Sequence, residues 1–297
     1  MSYRSRAGAI ISSYVRVIRK HYGGVRTKKQ DKALHQLRVY SRRLRNALWI
    51  FKDLFDKKQL KSWNRNIKAM VEPSSSARDI DVFISFLRKH KNQLRSRSQR
   101  DCLNVVLHRL AERRKKIHPQ IVRALSSFEK KKTLRQITVS LRAAAAGPEE
   151  ARSKKIYKVG RKRVVKRIRH LLNYEPFVVC PEKIHELHQM RIAAKKLRYT
   201  LESLRRIYGT GIDRYVDVIL KFHRQLGEIH DYDVWVAQIN TMKPRNRKMT
   251  EQRVVLERLC RHLQSRRQKA YVVFVRAWKT ARKNRTLDKL VEYVYTR

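Results

Sequence analysis

The sequence predicts an all-α protein made of two similar helical halves. Its 297 residues include only eight Gly and six Pro, the residues that most often interrupt helices. Apolar residues form 42% of the chain, and they recur at helical spacing with almost none of the alternation that marks strands. One eleven-residue stretch also occurs twice, 153 positions apart. We therefore expect a first half at 1–130, a connection at 131–148 and a second half at 149–297.

Five helices are predicted in the first half. Gly23–Gly24 ends the first helix, and Thr27 with Gln30 forms a capping box that opens the second. The proline and serines of Glu72–Ser76 end the third helix, and Pro119 is expected to kink the fifth. These helices are expected at 2–22, from Thr27 to Phe55, at 57–72, from Arg78 onward, and at 97–130.

The second half is predicted to repeat this order. Pro181 suits the first position of a helix, and Gly227 ends another. The helices are expected at 149–173, from Pro181 to Tyr208, at 212–226, from His230 onward, and from Thr250 to Lys283, followed by a short C-terminal piece.

An Asp-x-Asp-Val segment occurs in each half, as Asp79–Val82 and Asp231–Val234. Acidic residues are favoured at helix N-termini, where they cap exposed N–H groups. We therefore expect both segments to begin helices. Their separation of 152 positions extends the repeat over roughly fifty residues.

Each copy of the repeated stretch separates into an apolar face and a cationic face when it is placed on a helix. The apolar faces hold Leu37, Tyr40, Leu44, Leu48, Phe51 and Phe55 in one copy, and Met190, Ala193, Leu197, Leu201, Leu204 and Tyr208 in the other. The cationic faces are named here the first ladder, which is His35, Arg38, Arg42 and Arg45, and the second ladder, which is His188, Arg191, Lys195 and Arg198.

Each ladder carries one basic residue per helical turn. From the rise per residue, a ladder is roughly 15 Å long, enough to hold several consecutive groups of a linear polyanion. In a chain so rich in Lys and Arg, a basic stripe is usually only a solvated helix face. Both copies, however, place matching residue types at the same steps and exclude acidic residues, which favours a binding site.

The overall charge points to an anionic partner. The formal net charge is +50, from 74 Lys and Arg against 24 Asp and Glu, and such a charge repels itself in the folded state. Cys102, Cys180 and Cys260 show no Cys-x-x-Cys spacing, so neither a disulfide framework nor a zinc site is expected. Without an apolar run of membrane length or a signal peptide, we expect a cytoplasmic protein.

Taken together, these motifs resemble the CHAD family. The resemblance rests on His35-x-x-Arg38 followed by Arg42–Arg45, on His188-x-x-Arg191 followed by Lys195–Tyr199, on both Asp-x-Asp-Val segments, and on Leu226–Glu228 before His230. It covers about residues 2 to 285. It implies two helical bundles related by a pseudo-twofold axis, basic helix faces that line a shared central cavity, and binding of inorganic polyphosphate.

By the same resemblance, the anion-binding set includes both ladders and the basic residues beside them. Lys195 and Lys196 stand where the first copy has Arg, which keeps the charge but loses the bidentate geometry of guanidinium. The implied set is His35, Arg38, Arg42, Arg43, Arg45, His188, Arg191, Lys195, Lys196 and Arg198, with Lys68, Lys221, Arg224, Arg16 and Arg19 as further candidates.

Two other functions remain open from the sequence. The charge alone predicts weak, nonspecific binding to nucleic acid, although Trp49 is the only aromatic residue in register with the ladders for base stacking. A metal-dependent enzyme of polyphosphate would use Asp79, Asp81, Asp231 and Asp233 as ligands. With no Gly-rich phosphate loop or nucleophile motif, we expect no catalysis and no cofactor. Chain-length preference, oligomeric state and association with polyphosphate granules are left open.

Overall fold

The computed structural model describes residues 2–24, 30–146, 154–244 and 251–296. No strand occurs among these residues, which confirms the predicted all-α class. Their α-helices, in chain order, are α1 (Tyr3–Gly24), α2 (Gln30–Ile50), α3 (Lys57–Lys91), α4 (Arg97–Lys130), α5 (Thr133–Ala145), α6 (Lys155–Leu172), α7 (Ile184–Tyr208), α8 (Asp213–Met242), α9 (Glu251–Lys283) and α10 (Thr286–Tyr295).

Short 3₁₀ helices over Lys52–Leu54, Glu175–Val179 and Thr210–Ile212 complete the secondary structure of these residues. Thr27 of the expected capping box and Thr250 lie outside the described residues. Among the described residues, no helix combines the length and the apolar character that a membrane span requires.

The chain forms two compact units. The first contains Met1–Asp81 and Glu112–Arg163, and the second contains Val82–Ala111 and Val164–Arg297. Helices α3, α4 and α6 therefore contribute residues to both units. The predicted halves, the pseudo-twofold relation and the shared cavity stay predictions.

In the first unit, the apolar face of α2 packs against α1, and α1 also contacts α5. Leu37, Leu44 and Leu48 are fully buried, and Phe51 packs edge-on against Tyr3 with 6.0 Å between ring centroids. The predicted apolar stripe of the first copy therefore faces the core. Its two remaining members, Tyr40 and Phe55, are half-buried.

Polar contacts fix α3 against α5. The Trp63 indole N–H donates to Gln136 Oε1 at 3.1 Å, and Asn66 Nδ2 donates to Thr133 Oγ1 at the same distance. Most of the predicted connection is thus a helix that belongs to this unit. Hydrogen bonds to buried groups of this kind fix the rotation of α3 about its axis.

The second unit has an aromatic core between α7, α8 and α9. All six predicted apolar residues of α7 are buried. The ring centroids of Phe222 and Trp278 are 5.1 Å apart. Phe83 stacks on Trp235 with 5.1 Å between ring centroids and 10° between ring planes. The Tyr271 hydroxyl donates to the Val178 carbonyl at 2.7 Å, which ties α9 to the turn before α7.

Three predicted helix ends are wrong, and the first is that of α2, which ends at Ile50 rather than at Phe55. Residues 57–91 form one helix with Pro73 inside it, and residues 213–242 form one helix that runs through Gly227. Proline inside a helix costs about 3 kcal/mol and glycine about 1 kcal/mol. Burial of Met70 and Ile80 around the proline offsets this, because each large buried side chain contributes about 1.5–3 kcal/mol. Leu226 and Ile229 are buried beside Gly227 in the same way.

As a consequence, the Asp-x-Asp segments do not cap helices, since both lie well inside α3 and α8. The second aspartate of each segment instead pairs with an arginine of a following helix. Arg114 Nε lies 3.0 Å from Asp81, and Arg267 Nε lies 2.5 Å from Asp233. The two arginines are themselves 153 positions apart.

A further start is wrong, because α7 begins at Ile184 rather than at Pro181. The Pro181 carbonyl accepts a hydrogen bond from Arg267 Nη2 at 2.6 Å. The residue therefore holds the approach to α7 in place instead of opening the helix.

The two Asp–Arg pairs should differ in their contribution to stability. The Arg267 and Asp233 side chains are 14% and 10% exposed, and burial raises the pKa of Asp233 against the opposing effect of Arg267. Arg267→Met would leave a buried carboxylate without its partner, which typically costs about 3–5 kcal/mol. Arg114→Met should cost about 1 kcal/mol, because that pair is 22% and 36% exposed.

Free energies of unfolding from chemical denaturation test this difference. Arg276→Met, on the exposed side of the same helix as Arg267, is the matched control and should have almost no effect. Equal losses for Arg267→Met and Arg114→Met would contradict the assignment.

Candidate functional site

The first ladder lies on the side of α2 that faces α3. Arg42 Nη2 approaches Ser75 Oγ at 3.5 Å, and Arg45 Nε donates to Asn64 Oδ1 at 3.4 Å. Arg38 is only 8% exposed. The ladder is therefore the lining of a groove between two helices and is not a freely solvated helix face.

Cations dominate the electrostatics of this groove. Burial lowers the pKa of His35, and Arg38, Arg78 and Arg42 lower it further in that order. Burial and then the charge of Arg42 lower the pKa of Arg45. Within the described part of the chain, neither Arg42 nor Arg45 forms an ion pair with a carboxylate. Like charges therefore lie close together along this groove.

The second ladder lies against α8 in the second unit. Arg198 Nη1 lies 3.5 Å from His223 Nδ1, and Arg191 Nε would be 3.5 Å from a Cβ added at Gly227. This separation is an ordinary van der Waals contact. The glycine leaves the α8 backbone open to the Arg191 side chain.

Two histidines meet at one end of this ladder. His188 Nδ1 and His230 Nδ1 are 3.0 Å apart, and the ring centroids are 4.1 Å apart. Burial, then Arg191, His188 and Lys195, lowers the pKa of His230 to about 4. Burial followed by Arg191, Lys195 and His185 lowers the pKa of His188. At neutral pH both rings are therefore neutral, and one Nδ1–H can donate to the other ring.

The far end of the second ladder is partly neutralised. Arg198 Nε lies 3.3 Å from Glu202 Oε1, and the two side chains are 15% and 20% exposed. The guanidinium also lies over the Tyr199 ring, 4.6 Å from its centroid. The position of α2 that corresponds to Glu202, 153 residues earlier, is Trp49. The first ladder therefore has no acid at this step.

The basic residues directly after ladder positions make different contacts. Arg43 packs over the Tyr40 ring of its own helix at 5.1 Å. Lys196 is exposed and, after burial, is the main cause of the lowered pKa of His170 on α6. One residue is a rotation of about 100° on a helix, so these two cations extend from a different side of the helix than the ladders.

The further anion-binding candidates also differ in their contacts. Arg19 donates to the Leu134 carbonyl at 3.4 Å and to Thr138 Oγ1 at 3.2 Å, contacts that tie α1 to α5, and Arg16 is exposed on α1. Lys221 is exposed on α8. Lys68, also exposed, lies one turn from Asn64 and hence on the groove side of α3.

Arg224 lies beside the second ladder. It shares with Arg191 an open cavity of about 370 Å³ in the second unit. The cavity also contains Glu228, whose Oε1 accepts a hydrogen bond from the Tyr232 hydroxyl at 2.9 Å. The cavity residues are Arg191, His223, Arg224, Gly227, Glu228, Asp231, Tyr232 and Trp235.

The side of each groove opposite the ladder is not predicted by the sequence motifs. The residues on this side that have no predicted role are Asn64, Ser75 and Arg78 of α3, and His223 and His230 of α8. Their signal was present in the buried residues at helical spacing on both sides of Pro73 and Gly227. A continuous helix through those two positions places all five residues beside the ladders.

Stability should decrease on acidification because of His230. Its pKa is about 4 in the folded protein, against an ordinary value of 6.5. Between these values the unfolded chain takes up a proton that the folded protein does not, so unfolding becomes more favourable as the pH falls. His230→Gln should therefore make the dependence of the unfolding free energy on pH shallower over this interval.

Chemical denaturation at a series of pH values measures this dependence. His35→Gln is the control and should alter the slope less, because the His35 ring is exposed. The same slope in the wild type and in His230→Gln would contradict the proposed origin of the effect.

Comparison with known proteins places this geometry in a family. A family model described as the CHAD domain matches residues 9–240. The crystal structure of the CHAD domain from the plant Ricinus communis is 18% identical with a TM-score of 0.64, covering 100% of this chain and 93% of that chain. PptA from Streptomyces chartreusis is 15% identical with a TM-score of 0.64, covering 94% of this chain and 100% of that chain.

At these identities the two solved structures show a shared fold alone, and no curated protein matches the chain. The family model is the stronger finding, because it spans most of the chain and both ladders. The chain belongs to the CHAD family, in which some members bind polyphosphate.

Proposed function

We propose that this protein binds inorganic polyphosphate along its two ladders and does not catalyse a reaction on it. The observation that carries the proposal is that both ladders line interhelical grooves in matching order, with one basic residue per turn. A solvated face has no need for such an arrangement. Membership in a family with polyphosphate-binding members supports the same reading.

The groove chemistry suits a chain of phosphates. Guanidinium groups donate paired hydrogen bonds to phosphate oxygens, and these charge-assisted bonds are about twice as strong as neutral ones. Arg42 and Lys195 are half-exposed, so they can reach a ligand without leaving the groove. Arg38, nearly buried, contributes its charge mainly from beneath.

Repulsion in the empty protein favours ligand binding. Burial is the largest cause of the lowered pKa values of four groups, and neighbouring cations lower all four further: those of His35, Arg45, His188 and His230. A bound polyanion reverses the sign of this interaction, so binding relieves an unfavourable term of the empty state. A ligand that binds the folded form alone also stabilises it by mass action.

Nucleic acid is the principal rival ligand. Recognition of single strands usually relies on exposed aromatic rings that stack on bases. Here Trp49 lies beneath the Arg163 guanidinium at 5.2 Å, and Trp235 packs against Phe83 and Phe86. These rings are engaged within the protein, which supports a ligand without bases.

The absence of catalysis is also part of the proposal. Asp81 and Asp233, two of the four candidate metal ligands of the enzyme hypothesis, are both engaged with arginines. Among the described residues, no group of three or more His, Cys, Asp or Glu is arranged to hold a metal ion. These two observations favour a binding protein over a metal-dependent enzyme.

A competition titration tests the proposal. Long-chain polyphosphate should remain bound in the presence of DNA at equal phosphate concentration and physiological salt. The double variant Arg42→Gln/Lys195→Gln should lose much of this preference, with a salt dependence shallower by about 0.7 for each phosphate contact removed.

The matched control removes two charges elsewhere. Lys130→Gln/Lys131→Gln changes exposed residues at the end of α4 and should bind as the wild type does. If DNA displaces polyphosphate from the wild type, or if both double variants behave alike, the ladders are not a dedicated site.

A further inference from the structure

The groove of the first ladder continues along α3 past the end of the ladder. Ser75 and Asn64, which contact Arg42 and Arg45, mark the side of α3 that faces the groove. At 100° per residue, Lys57, Lys61 and Lys68 lie within about 60° of Asn64 on the same side. All three lysines are exposed.

This extension has a useful length. Lys57 is seven residues from Asn64 along α3, which places it roughly 10 Å further along the helix axis. The ladder and the extension together are therefore appreciably longer than the ladder alone. A linear polyanion that leaves Arg45 would meet further cations at one-turn intervals.

The acids near this end already have structural partners. Asp53 Oδ2 accepts a hydrogen bond from the Tyr3 hydroxyl at 2.8 Å, and Asp53 Oδ1 lies 3.8 Å from Arg163 Nη2. Asp56 accepts the Gln59 backbone N–H at 2.9 Å and so caps the start of α3. Both acids therefore have structural contacts of their own at this end of the first ladder.

The second ladder ends differently. Glu202 pairs with Arg198 at 3.3 Å, and Asp213 pairs with Arg205 at 2.6 Å. Asp213 stands 152 positions after Lys61, the separation that relates the two Asp-x-Asp segments. At the corresponding step, one groove thus has a lysine and the other has an aspartate. Leu220 likewise replaces Lys68 at this separation.

We infer that Lys57 and Lys61 form an additional phosphate-binding segment, so that polyphosphate extends beyond the first ladder but ends at Arg198 in the second. This inference rests on the proposed function. The physical basis is the local charge, since a groove lined by one sign of charge attracts a polyanion and an acid at its end repels it. The two ladders are then unequal, and long chains gain contacts that short chains do not.

Salt-dependent titration with polyphosphate of two lengths tests this inference. Lys57→Gln/Lys61→Gln should bind long chains with a salt slope shallower by about 0.7 per lysine that contacts a phosphate. Its binding of chains no longer than one ladder should be unchanged. Lys130→Gln/Lys131→Gln, which removes the same charge from another helix, is the control.

A variant of Asp213 tests whether polyphosphate ends at Arg198 in the second ladder. Asp213→Lys gives the second groove the residue that the first has, and should steepen the salt slope for long chains by about 0.7. Asp213 lies in an exposed ion pair with Arg205, so the fold should tolerate the change. Thermal unfolding of the empty variant checks this.

The outcomes separate the inference from the function beneath it. If the wild type binds long polyphosphate selectively while Lys57→Gln/Lys61→Gln matches its control, the extension is wrong and the proposed function stands. If the salt slope of Asp213→Lys equals that of the wild type, the inference that polyphosphate ends at Arg198 is wrong. If the wild type shows no preference for polyphosphate over DNA, the proposed function fails and the inference fails with it.

Discussion

Repulsion between cations held at close range is the constraint on which the rest of the structure depends. Each ladder places a basic residue on every turn of a helix, and the groove partly removes these residues from solvent. Charges repel more strongly away from water. Burial and, after it, neighbouring cations lower the pKa of His230 and of Arg45. The fold must therefore supply enough favourable packing to keep the grooves formed while they are empty.

That packing comes from the opposite faces of the same helices. Leu44 and Leu197 are fully buried on the core sides of α2 and α7, so each helix carries the destabilising face and the stabilising face together. Ion pairs add support from beneath, as Asp233 holds Arg267 and thereby connects α8 to α9. Binding chemistry and stability are thus separated by rotation about one helix axis, and a change on one face need not disturb the other.

Much of this arrangement follows from residue type and spacing. The helical class, the buried faces of α2 and α7 and the position of each ladder were predictable because a period of 3.6 residues assigns every residue to a side. Pro73 and Gly227 do not end helices, contrary to what their residue types predict, because the burial of neighbouring side chains outweighs their cost inside a helix. The residues that contact the ladders could not be predicted from the sequence, since contacts such as that of His188 with His230 depend on which faces of two different helices meet.

Thermal unfolding of Arg42→Gln/Lys195→Gln, with and without long-chain polyphosphate, tests the central claim most directly. If the ladders hold repelling charges for a polyanion, the empty variant should melt at a higher temperature than the empty wild type. Polyphosphate should then raise the melting temperature of the wild type much more than that of the variant. A variant that is less stable when empty, or that gains as much from polyphosphate as the wild type, would contradict the account.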